Sequence, residues 1–573
     1  MKGLLDERVL RKPGVGEDWG ERREEGILYP QLRKEGLQLE PAYKKGHGIL
    51  VSDELKKGLE GKPHKKGDFL LERLLDGLGR GQKSLLEDMR EPFRFFFLDA
   101  GSGTWLLARS PDEARPLYWS DEGQSLAFGD TARDVLELKG IYPEPNWPAI
   151  PEYLVFQDVA GSNTLFRGVR SVPPGTLFKG RLGVKRVEEE SLWSGWLQGI
   201  RREAITDPRE ALLGALQAMI SELDGRVGLF LTSGVDSSLI AWGLKELGLE
   251  EIEALTVTCP GYRYDEGPQA EALSAQLGIS WSPIVLEPSR FSSAWKEAIS
   301  SSLMPMVSTN QIPWWLMCQE AAKRDLVYWF SGEGCDSWTS GGHKEEELRE
   351  LEEAASLGPE TLVSKAIRPK AHLLNDPRKI EEILEVPLDL SARFATWSDC
   401  METIPDGTIR DVALLYHVRT VGRRLLERAS VTASVHGVQV KMPFVHKRFL
   451  QFAASTPWDK KNKPGRSKSP LKDLCIQALG EDIPSRRKVG FTFPMRTWIR
   501  DSSEPSISDL REVLLDSRTL TRPIYRAKIV HELDVRIKGV LRPCDWLLWS
   551  ILNLELWLRE LERHGRLGCF LPS

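Results

Sequence analysis

The chain has 573 residues, 28% of them charged, and a formal net charge of −5. That length exceeds one hydrophobic core and predicts two or three domains, and the charge balance gives no ground for nucleic acid as a general partner. No window holds eighteen uninterrupted apolar residues, and the start, Met1-Lys2-Gly3-Leu4-Leu5-Asp6, lacks a signal-peptide core. The seven cysteines are scattered, with no Cys-x-x-Cys pair, which predicts reduced thiols and a cytoplasmic location.

Residues 1 to about 90 are charged and irregular, with basic clusters at Lys44-Lys45, Lys56-Lys57 and Lys65-Lys66. They read as a solvated surface, with docking of an acidic partner as the alternative. Phe93 to Leu98 and Thr104 to Ala108 predict a hairpin around the Gly-rich turn before Thr104. Short strands are then expected at Arg115–Trp119, Ser125–Gly129, Tyr153-Leu154, Thr164–Gly168 and Val172–Thr176. The first 190 residues therefore read as a β-rich domain. The polar stretch Glu188 to Arg209 reads as the linker to a second domain, residues 205–573.

Val227 to Leu231 is a short apolar run of the kind found in buried parallel strands. Thr232-Ser233-Gly234-Val235-Asp236-Ser237-Ser238 breaks it, and a helix pattern follows through Leu247. A strand that turns through small residues into a helix start is an anion site, because free N–H groups and the helix dipole point at the occupant. The four hydroxyls add donors, and Asp236 adds a carboxylate that could hold Mg²⁺. An ordinary capped βα turn is the plain alternative, and with no lysine after the glycine this is not a Gly-Lys-Ser/Thr loop.

Leu255 to Thr258 predicts a second strand, and Ala270 to Gly278 a helix with a glycine stop. This spacing predicts a doubly wound parallel sheet. A third strand, Leu326–Phe330, ends in Ser331-Gly332-Glu333-Gly334-Cys335-Asp336. Such a turn at a strand's carboxyl end can face the first loop across the sheet. His343 to Ala355 reads as a solvated charged helix. Lys460 to Lys472 is a basic Gly/Pro loop, and Arg486-Arg487-Lys488-Val-Gly490-Phe491 with Pro494 to Trp498 forms another basic element. Trp546 to Leu558 is apolar over most of its surface but too short to span a bilayer.

Leu-Thr-Ser-Gly-Val-Asp-Ser-Ser resembles the pyrophosphate loop of the N-type ATP pyrophosphatases, in the asparagine synthetase branch. The resemblance extends to Ser331–Asp336, where the family pattern is Ser-Gly-Glu-Gly-Ala-Asp-Glu, and to Arg486–Trp498. It implies an α/β fold: a doubly wound parallel-sheet ATP pyrophosphatase (adenine nucleotide α-hydrolase-like) domain behind a β-rich, degenerate glutaminase-like (Ntn-type) domain. It also implies ATP and Mg²⁺, with Asp236 and Asp336 on the metal. The loop residues Thr232, Ser233, Gly234, Ser237 and Ser238 would hold pyrophosphate. Leu231 and Val257 would border the base, and Ser331 and Gly332 would lie against the nucleotide. Lys488 falls on the lysine that stabilises the transition state, and Glu333 is a candidate base for the amine.

The departures point to a changed substrate. Glutaminases of this class use an N-terminal cysteine; here Lys2 follows Met1 and the first cysteine is Cys259, so no glutamine hydrolysis is expected. The family segment over the amino-acid substrate, Glu-x-Arg-x-Pro-Phe-Leu-Asp, reads Gln439-Val-Lys441-Met-Pro443-Phe444-Val-His446, and the acid expected about nine residues earlier is Ser430. Members without the N-terminal cysteine include lasso peptide cyclases and β-lactam or carbapenam synthetases. The expectation is an AMP-forming ligase that adenylates a carboxylate and couples it to an amine, foremost a lasso peptide cyclase making a macrolactam. Its partners would be a peptide or small molecule carrying both groups and a protease that processes the precursor. An ammonia-dependent asparagine synthetase and a peptide-binding scaffold without activity are the alternatives.

Overall fold

The computed structural model describes residues 3–6, 43–44, 47–51, 77 and 83–564, except 90, 100–101, 124, 222, 224–225, most of 358–374, 487–492, 502–503 and 539–545. Much of the charged amino-terminal stretch, with all of its basic clusters except Lys44, lies outside the described residues. The chain forms two compact units: residues 1–144 with 161–203, and 145–160 with 204–573.

The first unit contains two antiparallel sheets. One runs β1(Gly3–Asp6), β7(Ser125–Gly129), β6(Tyr118–Ser120), β8(Arg170–Ser171). The other runs β10(Val184–Ser191), β9(Thr176–Arg181), β5(Thr104–Arg109), β4(Arg94–Asp99), β3(His47–Val51), β2(Tyr43–Lys44). The run Arg94-Phe-Phe-Phe-Leu-Asp99 is apolar at consecutive positions because both faces of its sheet are covered. Phe96 and Leu98 join Trp105, Trp119, Phe128 and Phe178 in one core, while Phe95 and Phe97 join Leu86, Leu106 and Leu177 in another.

Several of the expectations fail in this region, Val172–Thr176 among them, since β9 begins only at Thr176. Glu188 to Arg209 is not a linker: residues up to Ser191 finish β10, and Trp193–Arg202 is a helix. Trp193, Trp196, Leu197 and Ile200 form its buried stripe at helical spacing, interleaved with polar residues that disguise it. Tyr153-Leu154 is likewise no strand but the middle of the helix Ile150–Phe156, every residue of which is buried. Thr164–Gly168 forms no strand, and the pairing near it is the two-residue β8.

Residues 145–160 belong to the second unit, where polar contacts fix them. Tyr153 donates to the Met306 carbonyl at 2.8 Å, the Gln157 amide donates to Ser550 Oγ at 2.9 Å, and Asn375 donates to the Leu154 carbonyl at 2.6 Å. Buried Glu152 pairs with buried Arg393 at 2.6 Å.

The second unit is built on a five-stranded, wholly parallel sheet in the order β13(Ser280–Val285), β12(Ile252–Thr258), β11(Val227–Phe230), β14(Tyr328–Phe330), β15(Gln439–Lys441). The chain starts in the centre, winds outward through β12 and β13, then returns to the other side of β11. The order therefore reverses between β11 and β14, and the loops leaving these two strands diverge from one crevice. β11 is buried throughout, and Phe230 stacks on Trp329 of β14 with ring centroids 5.2 Å apart. Helix α1(Val235–Glu246) follows β11 and helix α2(Gly267–Leu277) follows β12; α2 ends on Gly278 in the left-handed conformation, as its sequence predicts. The charged segment after His343 is the helix Glu345–Ser356. The apolar segment near the carboxyl end is the helix Trp546–His564, largely buried. Among the described residues no helix is long and apolar enough to cross a membrane.

Candidate active site

The loop between β11 and α1 is held in shape by its own hydroxyls. The Thr232 N–H bonds to Ser237 Oγ at 3.1 Å, the Thr232 and Ser237 hydroxyls meet at 2.9 Å, and the Gly234 N–H bonds to Thr232 Oγ1 at 3.2 Å. Ser233 donates to Glu266 Oε1 at 2.7 Å, tying the loop to the segment after β12. Ser238 is fully buried and donates to the Gly234 carbonyl at 2.8 Å, so it shapes the first turn of α1. Leu231 is also fully buried, its N–H bonded to the Leu255 carbonyl. The predicted loop residues thus form one cradle at the start of a three-turn helix, the geometry that favours a phosphate.

The second signature turn folds against the first. β14 ends at Phe330, and the Ser331 N–H bonds to the Lys441 carbonyl of β15. A β-carbon on Gly332 would lie 3.1 Å from the Asp236 β-carbon and 3.2 Å from the Ser237 nitrogen, tighter than most real contacts, so glycine lets the two turns approach without displacing either. Gly334 sits at φ 91°, a conformation that L side chains rarely adopt, and turns the chain into helix α3(Cys335–Thr339). This brings Asp336 near Asp236, although one hundred residues separate them in sequence.

Both aspartates close on a single cation, which sequence reasoning did not single out. Lys468 Nζ lies 2.7 and 2.6 Å from the two Asp236 carboxylate oxygens and 2.7 Å from Asp336 Oδ1. Its side chain is 7% exposed. Burial alone would drive its proton off, but Asp236 and Asp336 outweigh burial and hold the ammonium well above the usual lysine range. The backbone of Lys468 has φ 53° and ψ 39°, sparsely populated for a non-glycine residue, at the start of helix α5(Ser469–Leu479), which packs on α1. Burial also pushes the neighbouring Cys335 thiol well above its ordinary range, with Asp236 acting in the same direction. Cys335, the substitution in the signature, is therefore a neutral packing residue. Lys488 lies outside the described residues.

Glu333 points to a second cluster. Arg428, on helix α4(Arg423–Val435), pairs with Glu333 and with Asn310, and its guanidinium lies 5.6 Å from the Trp314 ring. A π-turn at Val418–Gly422 precedes α4 and changes the face that the following residues present. Arg424, also buried, donates to the Phe156 carbonyl, and burial lowers it to about 10 against the pull of Asp158. Of the departures from the family segment, Lys441 lies 5.3 Å from the Tyr328 ring, and His446 Nδ1 accepts from the Arg448 N–H. Beside β12, Val257, Thr258, Cys259, Tyr264, Glu266 and Phe493 line a small open cleft. Asp265 stabilises that edge by accepting from Thr258 Oγ1, the Cys259 N–H and the Gly267 N–H.

The donor set fits a metal shared with phosphates. Among the described residues there is no group of three or more histidine, cysteine or acidic side chains able to hold a metal by themselves. Two carboxylates beside a phosphate cradle are what Mg²⁺ uses when the nucleotide and water supply the remaining oxygens.

Residues 208–559 match the family model described as asparagine synthase, and residues 53–193 match a glutamine amidotransferase domain. The chain is 22% identical over 508 residues to glutamine-hydrolysing asparagine synthetase 1 of Bacillus subtilis (strain 168), covering 81% of this chain and 77% of that one. It is 23% identical over 542 residues to asparagine synthetase 3 of the same organism, covering 85% and 83%. Among solved structures, NMN synthetase from Francisella tularensis aligns with 43% of this chain and 97% of its own, at 16% identity and a TM-score of 0.20. With an Ntn-like glutaminase domain ahead of a parallel-sheet domain whose two signature turns meet at the switch point, the chain belongs to the asparagine synthase family of ATP-dependent ligases.

Proposed function

We propose that the protein is a macrolactam-forming ligase of the lasso peptide cyclase kind, which activates a carboxylate of a peptide with ATP and closes it onto an amine of the same molecule. The observation that carries the ATP chemistry is the close approach of Gly332 to Asp236 and Ser237, which puts both signature carboxylates at one cation. In this reading Asp236 and Asp336 hold Mg²⁺, whose contribution is to neutralise the phosphates. The Thr232–Ser237 cradle and the N–H groups of α1 hold pyrophosphate, with Leu231, Val257, Ser331 and Gly332 around the nucleotide. The substrate carboxylate attacks the α-phosphate, pyrophosphate leaves, and the amine then displaces AMP. Lys488 stabilises the charge that develops in both steps.

The peptide substrate is supported by what the chain lacks and what it has changed. No cysteine occurs before Cys259, so the first unit has no thiol to liberate ammonia from glutamine. Gln439, Lys441, His446 and Ser430 replace the groups expected around a small amino acid. Glu333 is already engaged by Arg428, so it serves as a base for the amine only if substrate exchanges that pairing; otherwise it positions Arg428. A precursor-processing protease is the partner this reading requires. The five described cysteines are free thiols, which suits the cytoplasm.

The test is pyrophosphate exchange into ATP with the full chain. Exchange that requires a peptide carrying both the carboxylate and the amine, with a cyclic product short of one water, supports the proposal. Exchange stimulated by free aspartate, with asparagine formed from ammonia, would replace it by an ammonia-dependent asparagine synthetase. Exchange with a small amino-carboxylate would favour a β-lactam synthetase, and no ATP cleavage with any of them a binding scaffold.

A further inference from the structure

Lys468 poses a problem of occupancy. Its ammonium contacts both oxygens of Asp236 and one of Asp336 at 2.6–2.7 Å. A divalent ion shared by those carboxylates needs the same oxygens, at about 2.0–2.1 Å for Mg²⁺. The two cations also repel each other in a setting where Asp236 is only 20% exposed. A tethered ammonium competes as an intramolecular partner, at an effective concentration set by its short stem.

The tether is anchored on the helix that carries Asp336. The Lys468 N–H bonds to Asn462 Oδ1 at 3.1 Å, and the Asn462 amide donates to the Thr339 carbonyl, at the end of α3, at 2.8 Å. Ser469 Oγ accepts from the Lys463 N–H and donates to the Arg466 carbonyl. The backbone is thereby fixed, while four rotatable carbons leave the ammonium free to change partners. A triphosphate seated in the Thr232–Ser237 cradle offers it that partner and brings the further oxygens a metal needs.

Resting on the reading of this site as an ATP·Mg²⁺ site, we propose that Lys468 is a built-in counter-cation that closes the Asp236–Asp336 pair to divalent metal until a nucleoside triphosphate draws the ammonium away. Metal then enters with the nucleotide and not before it. Lys468 is a positioning residue here: it sets the order of binding and keeps the two aspartates together while the site is unliganded. The placing of its ammonium between the two carboxylates and its near-complete burial have a purpose in this account that simple structural pairing does not supply.

The probe is Mn²⁺ binding to the full chain, read by electron paramagnetic resonance of the free ion and needing no turnover. Wild type should bind Mn²⁺ weakly alone and at least tenfold more tightly with a non-hydrolysable ATP analogue. Lys468→Met should bind Mn²⁺ without nucleotide at least tenfold more tightly than wild type, and adding Asp236→Asn should abolish that gain. Lys468→Arg, which keeps the charge, should behave as wild type. A folded Lys468→Met with no gain in nucleotide-free Mn²⁺ affinity overturns the proposal, and if wild type still shows the nucleotide-dependent gain, the ATP reading stands. A gain in Lys468→Met with no effect of the ATP analogue on wild type would instead keep the closed pair and remove the nucleotide. If Lys468→Met folds poorly, a rise in its melting temperature with Mn²⁺ that wild type lacks supports an opened site. A structure of wild type with Mn²⁺ and the analogue decides independently: Lys468 Nζ still within 3 Å of both bound aspartates overturns it.

Discussion

Asp236 and Asp336 share one cation, and substitutions should separate their role from the one proposed for Lys488. Asp236→Asn and Asp336→Asn each keep the side-chain shape and leave Lys468 one carboxylate, so the fold should survive while pyrophosphate release falls by more than about 10²-fold. Pyrophosphate release within a few-fold of wild type in either variant would put the metal elsewhere. With Lys488 in the role proposed for it, acting on charge that exists only in the transition state, Lys488→Ala should lower turnover by about 10²–10³ while leaving the apparent KM for ATP nearly unchanged. Lys488→Arg should also be strongly impaired, since a planar fork does not reproduce a compact ammonium. Steady-state kinetics following pyrophosphate and amide together checks both, and near-normal turnover of Lys488→Ala would make the Arg486–Phe491 match a structural feature only. The two aspartates and their loops were legible because strand, small residues and acid are adjacent in sequence. Lys468 was not: it lies 232 residues from Asp236, and within the basic loop Lys460–Lys472 nothing distinguishes it from its neighbours except the conformation it adopts.

Elements were legible where periodicity was strong and illegible where tertiary burial overrode it. The strands from Val227, Leu255 and Leu326 announce themselves by β-branched and aromatic runs, and all three exist. β13 escaped notice because Pro283 interrupts it and most of its residues are partly or fully exposed at the sheet edge. β15 is only three residues long and is recruited by Tyr328–Phe330, a partner over one hundred residues away. The first unit carries a different liability, the turn that follows β5. There Asp112 is 5% exposed, and burial pushes its carboxyl up to about 7 despite a 2.7 Å hydrogen bond from Ser110. Between pH 4 and 7 the unfolded chain is ionised at this position while the folded one keeps its proton. The folded state therefore binds more protons, and its stability falls as pH rises through that window, by at most about 4 kcal/mol, then levels off above pH 7. Asp112→Asn should remove that slope and raise the melting temperature of the first unit at pH 8; calorimetry at pH 5 and 8 tests it, and equal shifts at both would show that Asp112 is ionised when folded.

At the scale of the whole molecule, the first unit keeps an Ntn-like fold without a cysteine before Cys259. Incubation with glutamine should release no glutamate above background, while ATP cleavage with the cognate substrate proceeds; glutamate production would restore ammonia as the amine. The interleaving of the two units has an effect on how such a chain can be cut or recombined. The polypeptide passes from one unit to the other at 144/145, 160/161 and 203/204. A gene split at the last junction alone leaves Glu152 on the wrong fragment and strips buried Arg393 of a partner, a loss worth about 3–5 kcal/mol when a buried pair is broken. The ligase half cannot therefore be inherited, swapped or expressed as one uninterrupted reading frame without losing part of its own interior. Whatever the first unit does, the ligase depends on that earlier stretch of chain, because it is spelled in two instalments.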